Sequence, residues 1–334
     1  MTNEQLSEYK ELSQQIKILS EIAIAENREI VAVQKSNTES LGDRITNYAA
    51  AVNYIIPKEE YLICRIDGHH FSSFTKGFDK PFDTALSNAM VATTRDLHNR
   101  FNAYSSFTQS DEIALFIPTL KDAKDNYIEH QFGGRTDKIN SLVAAFTTMS
   151  FNKHLFDEYQ YELDKHRDNF EDSFRLTAEE KESQKHLARF KDKLGNAYFD
   201  CRCFGVPTIE EAFNVFMWRS RDCIKNSKSM FAQAYVPHKE LQKKNGEEQI
   251  AYCLEKTGKD WNQIEDRFKY GVLIKKELYE KPIEKRDDEW HELATAKTLA
   301  HPTCTRSRLV QTSIPMNSFS PELVELISRQ YIRY

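Results

Sequence analysis

The amino-acid sequence predicts an α+β fold built on a ferredoxin-like βαββαβ sheet, with helical additions at both ends. The apolar run at residues 61–64 is typical of a buried strand, and so is the run at residues 113–117. Over residues 61–206 the pattern reads strand, helix, strand, strand, helix, strand. In that layout the first and third strands lie side by side, or nearly so.

Each element of this order rests on its own pattern of apolar, small and turn residues. The second helix begins at Gly133-Gly134-Arg135 and is rich in small residues over 141–150, which suits close packing on a sheet. The elements expected in chain order are a strand at 61–66, a loop through 82, a helix at about 83–101, hairpin arms at about 103–108 and 112–117, the second helix, and a strand at 199–206.

The chain divides by pattern into three parts. Residues 1–40 form a helical extension, because apolar side chains recur at intervals of three and four residues. Residues 41–206 form the central domain, which begins with a helix over 41–54 and carries a charged, exposed helical insertion at 157–193. Residues 207–334 are expected to be mostly helical, starting with one or two helices over 209–235.

Composition limits the class of protein. The 334 residues are 40% hydrophobic and 29% charged, with a net charge of −5. This composition suits a globular protein whose surface is rich in charged residues. Any nucleic-acid surface must therefore be a local basic patch. The chain shows neither a secretory signal nor an apolar run of the roughly 20 residues that a membrane span needs, so we expect a cytoplasmic protein without membrane contact.

The six cysteines do not have the spacing of a zinc site. The sequence has no C-x-x-C pair, and its ten histidines lack H-E-x-x-H spacing. We therefore expect buried free thiols and no structural zinc.

Two acidic stretches carry the expected chemistry. Asp67 ends the first strand, and Asp111 and Glu112 lie at the turn of the hairpin. The fold brings these carboxylates together, as in the palm of many nucleotide polymerases and cyclases. With the Gly68 carbonyl, Asp67 and Asp111 can hold two Mg²⁺ ions for phosphoryl transfer. Glu112 is a candidate ligand or an orienting group, and a surface turn residue is the equally good alternative.

Several motifs together resemble the tRNA-His guanylyltransferase superfamily. They are Arg65-Ile66-Asp67-Gly68-x-x-Phe71-x-x-Phe74, Lys80-Pro81-Phe82-Asp83, Gln109-Ser110-Asp111-Glu112, Phe199-Asp200-x-Arg202, Trp218-Arg219-x-Arg221-Asp222-x-x-x-Asn226-Ser227 and His238-Lys239-Glu240-Leu241. The resemblance covers about residues 41–275. It implies addition of nucleotides in the 3′-to-5′ direction to the 5′ end of tRNA, with ATP activating the 5′-phosphate and the 3′-hydroxyl of GTP or another nucleoside triphosphate attacking it.

The sequence also bears on the branch of the superfamily. Guanylyltransferases carry His-Ile-Asn-Asn where this chain has Ile224-Lys225-Asn226-Ser227. This difference resembles the guanylyltransferase-like proteins, which implies template-dependent repair of truncated tRNA 5′ ends. The alternative is a tRNA-His guanylyltransferase that adds a single guanosine. His69 is a second departure, because Arg or Lys is usual at that position.

The resemblance also assigns binding residues. Lys80, Arg135 and Lys138 match triphosphate-binding positions, although from the residues alone each is a solvated surface charge. The full nucleotide-binding set is Asp67, Gly68, His69, His70, Phe71, Ser72, Lys80, Ser110, Asp111, Arg135, Lys138 and Asn226. The residues expected to follow the RNA backbone are Arg202, Arg219, Arg221, Lys225 and Lys228. The resemblance thus implies that residues 41–206 are a palm catalytic domain and that residues 207–334 serve RNA binding or oligomer contacts.

Two other functions fit parts of the pattern. A nucleotide cyclase also pairs two aspartates with a triphosphate, but the motif at 218–227 has no role there. A non-catalytic RNA-binding protein on a decayed palm would not need both carboxylates and all three cations. Relatives act as tetramers, so the resemblance implies a homotetramer.

Overall fold

The fold was obtained as a computed structural model, and it describes residues 45–46, 54–171, 178–282 and 303–332. The predicted helix within residues 1–40 lies outside these residues. Of the helix predicted over 41–54, Ile45 and Thr46 are described and helical, whereas Tyr54 is not helical. The chain forms two compact units, Met1–Ile55 and Ile56–Tyr334, and the second contains all elements considered below.

The second unit is a mixed α+β structure, as predicted. Its strands are β1 Tyr61–Gly68, β2 Ser105–Gln109, β3 Glu112–Ile117, β4 Leu120–Lys121, β5 Tyr127–Ile128, β6 Phe199–Val206, β7 Val272–Pro282, β8 Thr303–Thr312 and β9 Tyr331–Ile332. Its α-helices are α1 Phe71–Phe74, α2 Thr84–Arg100, α3 Thr136–Glu171, α4 Ala178–Lys191, α5 Ile209–Tyr235, α6 His238–Leu241, α7 Gly246–Thr257, α8 Asp266–Tyr270 and α9 Pro321–Ser328. A 3₁₀ turn at Gln131–Gly134 leads into α3, and another lies at Trp261–Gln263.

One seven-stranded sheet dominates the fold, in the order β6-β1-β3-β2-β7-β8, with β9 parallel to β7. The other pairings are antiparallel, and β4 and β5 form a separate hairpin. The first and third strands lie side by side, as predicted, because β1 pairs with both β3 and β6. The ends of β1, β3 and β6 therefore meet at one place.

The two faces of β1 explain where its side chains point. Successive side chains of a strand alternate between faces. Leu62, Cys64 and Ile66 are buried in the core beneath α2 and α3. Ile63 is buried on the opposite face with residues of α5, and Arg65 and Asp67 share that second face with it.

The helices that flank the site begin at defined caps. Asp83 caps α2 by accepting a hydrogen bond from the Leu86 N–H at 2.8 Å, and Thr208 caps α5 by accepting one from the Glu211 N–H at 3.2 Å. Such caps satisfy backbone donors that the first turn leaves unpaired, and each is worth about 1 kcal/mol. The caps therefore fix where both helices start relative to the sheet.

Two regions differ from the sequence predictions. Strands β7 and β8 were not predicted, and β7 joins β2, so the sheet runs across the boundary placed at residue 206. The insertion at 157–193 was predicted to be exposed, but Phe190 is 1% exposed and packs against Phe78 and Tyr159. Helix α4 thus contributes to the core beneath α3 instead of standing apart from it.

All six cysteines are unpaired, and five of them are buried, as predicted. Among the described helices, none combines the length and apolar composition that crossing a membrane requires.

Candidate active site

The predicted carboxylates meet at the end of β1. Asp67 is paired in register with Glu112 on β3 and with Asp200 on β6. Asp111 lies in the tight turn between β2 and β3, and its carbonyl oxygen accepts a hydrogen bond from the Gly68 N–H at 3.1 Å. One backbone contact therefore ties the two acidic motifs together.

The turn that carries Asp111 is held in an uncommon conformation. Ser110 has a φ of 49°, in the left-handed region that side-chain-bearing residues rarely adopt. Its hydroxyl donates a hydrogen bond to Asp111 Oδ1 at 3.0 Å, which fixes the direction of that carboxylate. Backbone strain of this kind costs about 1–3 kcal/mol and is concentrated at functional sites.

Asp111 is partly buried and lies close to two other carboxylates, those of Asp67 and Glu112. Burial, the largest cause, and the nearby negative charges of Asp67 and Glu112 raise the pKa of Asp111 to about 6, while the hydrogen bond from the Ser110 hydroxyl opposes the shift. The ionised carboxylate is thus poorly compensated by protein groups. A divalent cation bound here would relieve that excess of negative charge.

Gly68 cannot be replaced without displacing the core. A Cβ at this position would lie 2.3 Å from the ring of Phe71. Phe71 is buried and packs against Phe151 and Phe199, so its ring cannot shift to make space for a Cβ at position 68. The Phe71 side chain belongs to the core, and only its backbone can serve the nucleotide contact that the sequence predicts.

The loop after Gly68 offers fewer backbone donors than expected. His69 donates its N–H to the Tyr198 carbonyl at 2.8 Å, so this donor is already used. His70 has a φ of 53°, and the side chains of His69, His70 and Ser72 are exposed. The predicted phosphate cradle is therefore limited to the residues that follow His69.

Glu112 and Arg219 form a largely buried ion pair. The Arg219 guanidinium is buried, with 5% of its side chain exposed, and donates to both carboxylate oxygens of Glu112. Gln109 donates to Glu112 as well, and Arg219 also reaches Asp222 at 3.2 Å. Glu112 is therefore held in an ion pair, which is compatible with the predicted orienting role, whereas Arg219 is too buried to follow an RNA backbone as predicted.

A cavity of about 540 Å³ opens beside Asp111, large enough for a nucleotide. Four residues predicted to bind nucleotide line it together: Lys80, Ser110, Asp111 and Asn226. Apolar side chains complete its wall, including Phe78, Phe82, Met90, Val91 and Met230. Sequence reasoning did not identify these apolar residues as part of a site, because each looks like ordinary core.

Arg135 and Lys138 lie away from this cavity. Asn140, near the start of α3, accepts a hydrogen bond from the Cys203 N–H, whereas Thr148 accepts one from the Phe199 N–H beside Gly68. At 1.5 Å per residue, roughly 15 Å of helix separates Lys138 from Thr148. Arg135 is farther still and pairs with Asp137 at 2.9 Å. Neither cation is among the residues that line the cavity.

The remaining cations predicted to bind RNA fall into two groups. Arg202, Arg221 and Lys225 are exposed; Arg202 lies on β6 opposite Arg65, and Arg221 donates to the Asn317 carbonyl at 2.8 Å. Lys228 is instead paired with Glu247 and lies over the Trp261 ring, with 12% of its side chain exposed. Lys228 is thus a structural residue, contrary to the prediction.

The chain matches one known family model and one curated protein. Residues 43–207 match the family model described as Thg1: tRNAHis guanylyltransferase. An uncharacterised protein of Acanthamoeba polyphaga mimivirus, R259, is 34% identical over 249 residues, which covers 72% of this chain and 78% of that protein.

Two solved structures of bacterial tRNAHis guanylyltransferase (Thg1)-like proteins are also similar. The one in complex with ATP has a TM-score of 0.56 and 32% identity, covering 71% of this chain and 87% of that chain. The one in complex with GTP has a TM-score of 0.59 and 27% identity, covering 87% of this chain and 100% of that chain.

Proposed function

Because the chain belongs to the tRNAHis guanylyltransferase superfamily of nucleotidyltransferases, we propose that it adds nucleotides in the 3′-to-5′ direction to the 5′ end of tRNA. The observation that carries this proposal is the meeting of Asp67 and Asp111 beside a nucleotide-sized cavity. The sheet that supports them has the strand order β6-β1-β3-β2, which fits a ferredoxin-like palm.

The proposed reaction has two phosphoryl transfers. In the first, the 5′-phosphate of the RNA attacks ATP, an RNA–AMP linkage forms and pyrophosphate leaves. In the second, the 3′-hydroxyl of the incoming nucleoside triphosphate attacks the activated 5′-phosphate, and AMP leaves. The bacterial relatives solved with ATP and with GTP support nucleoside triphosphates as substrates of this chain.

The donor set at the end of β1 fits two Mg²⁺ ions, which would be held by Asp67, Asp111 and the Gly68 carbonyl. When bound, the ions would lower the pKa of the attacking hydroxyl and neutralise charge that builds on the phosphate oxygens. The protein's own groups orient the reactants. Ser110 holds Asp111 in place, and Lys80 and Asn226 line the cavity where a triphosphate would lie.

Residues 224 and 227 favour template-dependent repair over obligatory single-guanosine addition. Ile224, where guanylyltransferases carry histidine, packs in an apolar cluster with Phe231 and Trp261. Ser227 is buried and accepts a hydrogen bond from the Trp261 indole N–H at 2.9 Å. Both positions thus support the fold of α5, and position 224 has no titratable group for proton transfer.

A labelled-RNA assay tests the reaction class. The protein is incubated with 5′-phosphorylated, 5′-truncated tRNA, ATP, the other nucleoside triphosphates and Mg²⁺. We expect RNA lengthened at its 5′ end. Formation of a cyclic nucleotide would instead identify a cyclase, and no product of either kind would favour a non-catalytic RNA-binding protein.

The same assay distinguishes the two branches. We expect truncated tRNA to gain the nucleotides that pair with its 3′ strand, because a Watson–Crick partner positions the incoming base. Full-length tRNA-His without a templating partner should be a poor substrate. Efficient guanosine addition to intact tRNA-His, without repair of truncated tRNA, would identify the single-guanosine enzyme.

Replacing Lys80 with alanine should weaken ATP binding more than turnover. Lys80 lines the cavity and contacts a triphosphate in ground and transition states alike, so its loss should cost about 1–3 kcal/mol of binding. Lys138→Ala is the matched control, since Lys138 is an exposed lysine that does not line the cavity. Calorimetric titration with ATP should show a weaker Kd for K80A only. A larger effect of K138A would place the triphosphate elsewhere.

The superfamily relationship also supports a homotetramer in the cytoplasm as the working form. Light scattering on the purified full-length protein measures the assembly. A mass of four chains is expected, and a monomer at assay concentration would reject the tetramer.

A further inference from the structure

Trp218 is an exposed aromatic side chain beside the carboxylates. It lies on α5, and 51% of its surface is exposed. The buried Arg219 places its guanidinium carbon 3.7 Å from the centre of the indole ring. Large exposed aromatic rings on charged surfaces are common contact sites for nucleic-acid bases.

Trp218 is linked to the carboxylates through Arg65. The Arg65 guanidinium carbon is 5.4 Å from the centre of the Trp218 ring, and an Arg65 nitrogen is 3.2 Å from Asp67. Arg65 lies on the face of β1 that packs toward α5, opposite Arg202 on β6. The indole therefore lies within one arginine side chain of Asp67.

The nucleotide cavity and Trp218 occupy different places. Among the described residues, those that line the cavity include Asp111 and Glu112 but not Trp218, Arg65 or Asp67. The cavity suits a small molecule, whereas about half of the Trp218 surface is exposed to solvent outside the cavity. An open aromatic surface suits the end of a nucleic-acid helix, which is too large for the cavity.

We propose that the Trp218 indole is the platform on which the terminal base pair of the RNA acceptor helix stacks, so that its 5′-phosphate is presented to Asp67 and Asp111. This inference rests on the proposed function, which requires an RNA 5′ end at these carboxylates. Arg202, with 72% of its side chain exposed, lies on the same face and can contact a backbone phosphate.

A purely structural role is the competing explanation. Trp218 covers the ion pair between Arg219 and Glu112, and its removal can loosen that pair without any contact to RNA. Two variants separate the roles. Trp218→Phe keeps an aromatic face, and Trp218→Leu keeps apolar cover over Arg219 but removes the face.

The experiment compares two RNA hairpins without nucleotide present, so that no turnover occurs. Both carry a 5′-phosphate and a shortened 5′ end, and one has an abasic 5′-terminal nucleotide. Binding is measured for the wild type, W218F and W218L, and ATP affinity is measured in parallel.

We expect W218L to bind the intact hairpin about 5- to 150-fold more weakly, the range that corresponds to 1–3 kcal/mol for one stacked base. W218F should lose less. The wild type should prefer the intact hairpin over the abasic one, W218L should not discriminate, and ATP affinity should be unchanged throughout.

Three results would contradict the stacking role of Trp218. W218L could bind the intact hairpin as tightly as the wild type does, or it could still discriminate between the two hairpins. The third is a loss of ATP affinity together with RNA affinity. A wild-type protein that binds neither hairpin would refute the proposed function itself. The two failures are therefore distinguishable.

Discussion

Replacing Asp111 with asparagine should abolish nucleotide transfer. The amide keeps the shape of the side chain but removes the charge that would hold a divalent cation. The loss should be at least about 10³-fold, since metal-assisted stabilisation of a transition state is worth several kcal/mol. Both RNA activation by ATP and nucleotide addition should disappear, because the same carboxylates serve both transfers.

The same variant should make the metal-free protein more stable near neutral pH. The pKa of Asp111 is about 6 in the folded protein, whereas the ordinary pKa of an aspartate side chain is 3.8. The free energy of unfolding of the wild type therefore falls as the pH rises from 3.8 through 6, because the folded state disfavours the ionised Asp111 carboxylate. The neutral amide lacks this penalty, so D111N should unfold at a higher temperature than the wild type at pH 7.5 in EDTA, and the difference should shrink as the pH falls below 6.

A carboxylate outside the site provides the control. Asp122 lies exposed in the turn between β4 and β5, where backbone and side-chain hydrogen bonds from Asn126 lower its pKa. Asp122→Asn removes the same charge and should leave activity intact. Near-normal transfer by D111N, or an equal loss in D122N, would remove Asp111 from the chemistry.

Replacing Arg219 with methionine should produce the largest loss of stability. It leaves Glu112 with only 15% of its side chain exposed and without its main partner. Removing one member of a buried ion pair typically costs about 3–5 kcal/mol, because an uncompensated charge stays buried. Denaturant titration followed by circular dichroism measures the cost. The double variant Glu112→Gln with Arg219→Met should recover part of it, since it leaves no buried charge.

The pair of Lys256 and Glu240 is the matched surface control. It is partly exposed, and such pairs contribute about 0–1 kcal/mol, so Lys256→Met should be nearly neutral. If R219M is as stable as K256M, the ion pair does not hold the site together. If E112Q loses as much activity as D111N while keeping its stability, Glu112 acts in the chemistry after all.

The sequence predicted the carboxylate pair because its determinants are local. An apolar strand that ends in Asp67 and a hairpin turn that carries Asp111 can be read from short patterns, and the strand order brings them together. The helix at 84–100 and strand β6 were predicted for the same reason. Each depends on neighbouring residues more than on distant ones.

The remaining features depend on contacts between distant parts of the chain. Arg219 and Glu112 are 107 positions apart, and no local pattern shows that they pair. Strand β7 was missed because Lys275 interrupts its apolar run. Lys275 is nevertheless 1% exposed, and its ammonium donates to the carbonyls of Tyr104 and Arg329 and to the Ser105 hydroxyl. The position of Lys138 likewise depends on how α3 crosses the sheet, which a family motif does not specify.

A single-turnover reaction with ATP as the only nucleotide tests most directly whether Asp67 and Asp111 carry 3′–5′ nucleotide addition. The 5′-phosphorylated, truncated tRNA is mixed with excess enzyme, labelled ATP and Mg²⁺, and the RNA is examined for AMP attached at its 5′ end. We expect RNA–AMP to form with the wild type and to be absent with D67N or D111N. On addition of the templated nucleoside triphosphate, the RNA–AMP should be converted to RNA lengthened at its 5′ end. RNA that never acquires AMP, or acquires it equally with D111N, would contradict the assignment of these carboxylates to 3′–5′ nucleotide addition.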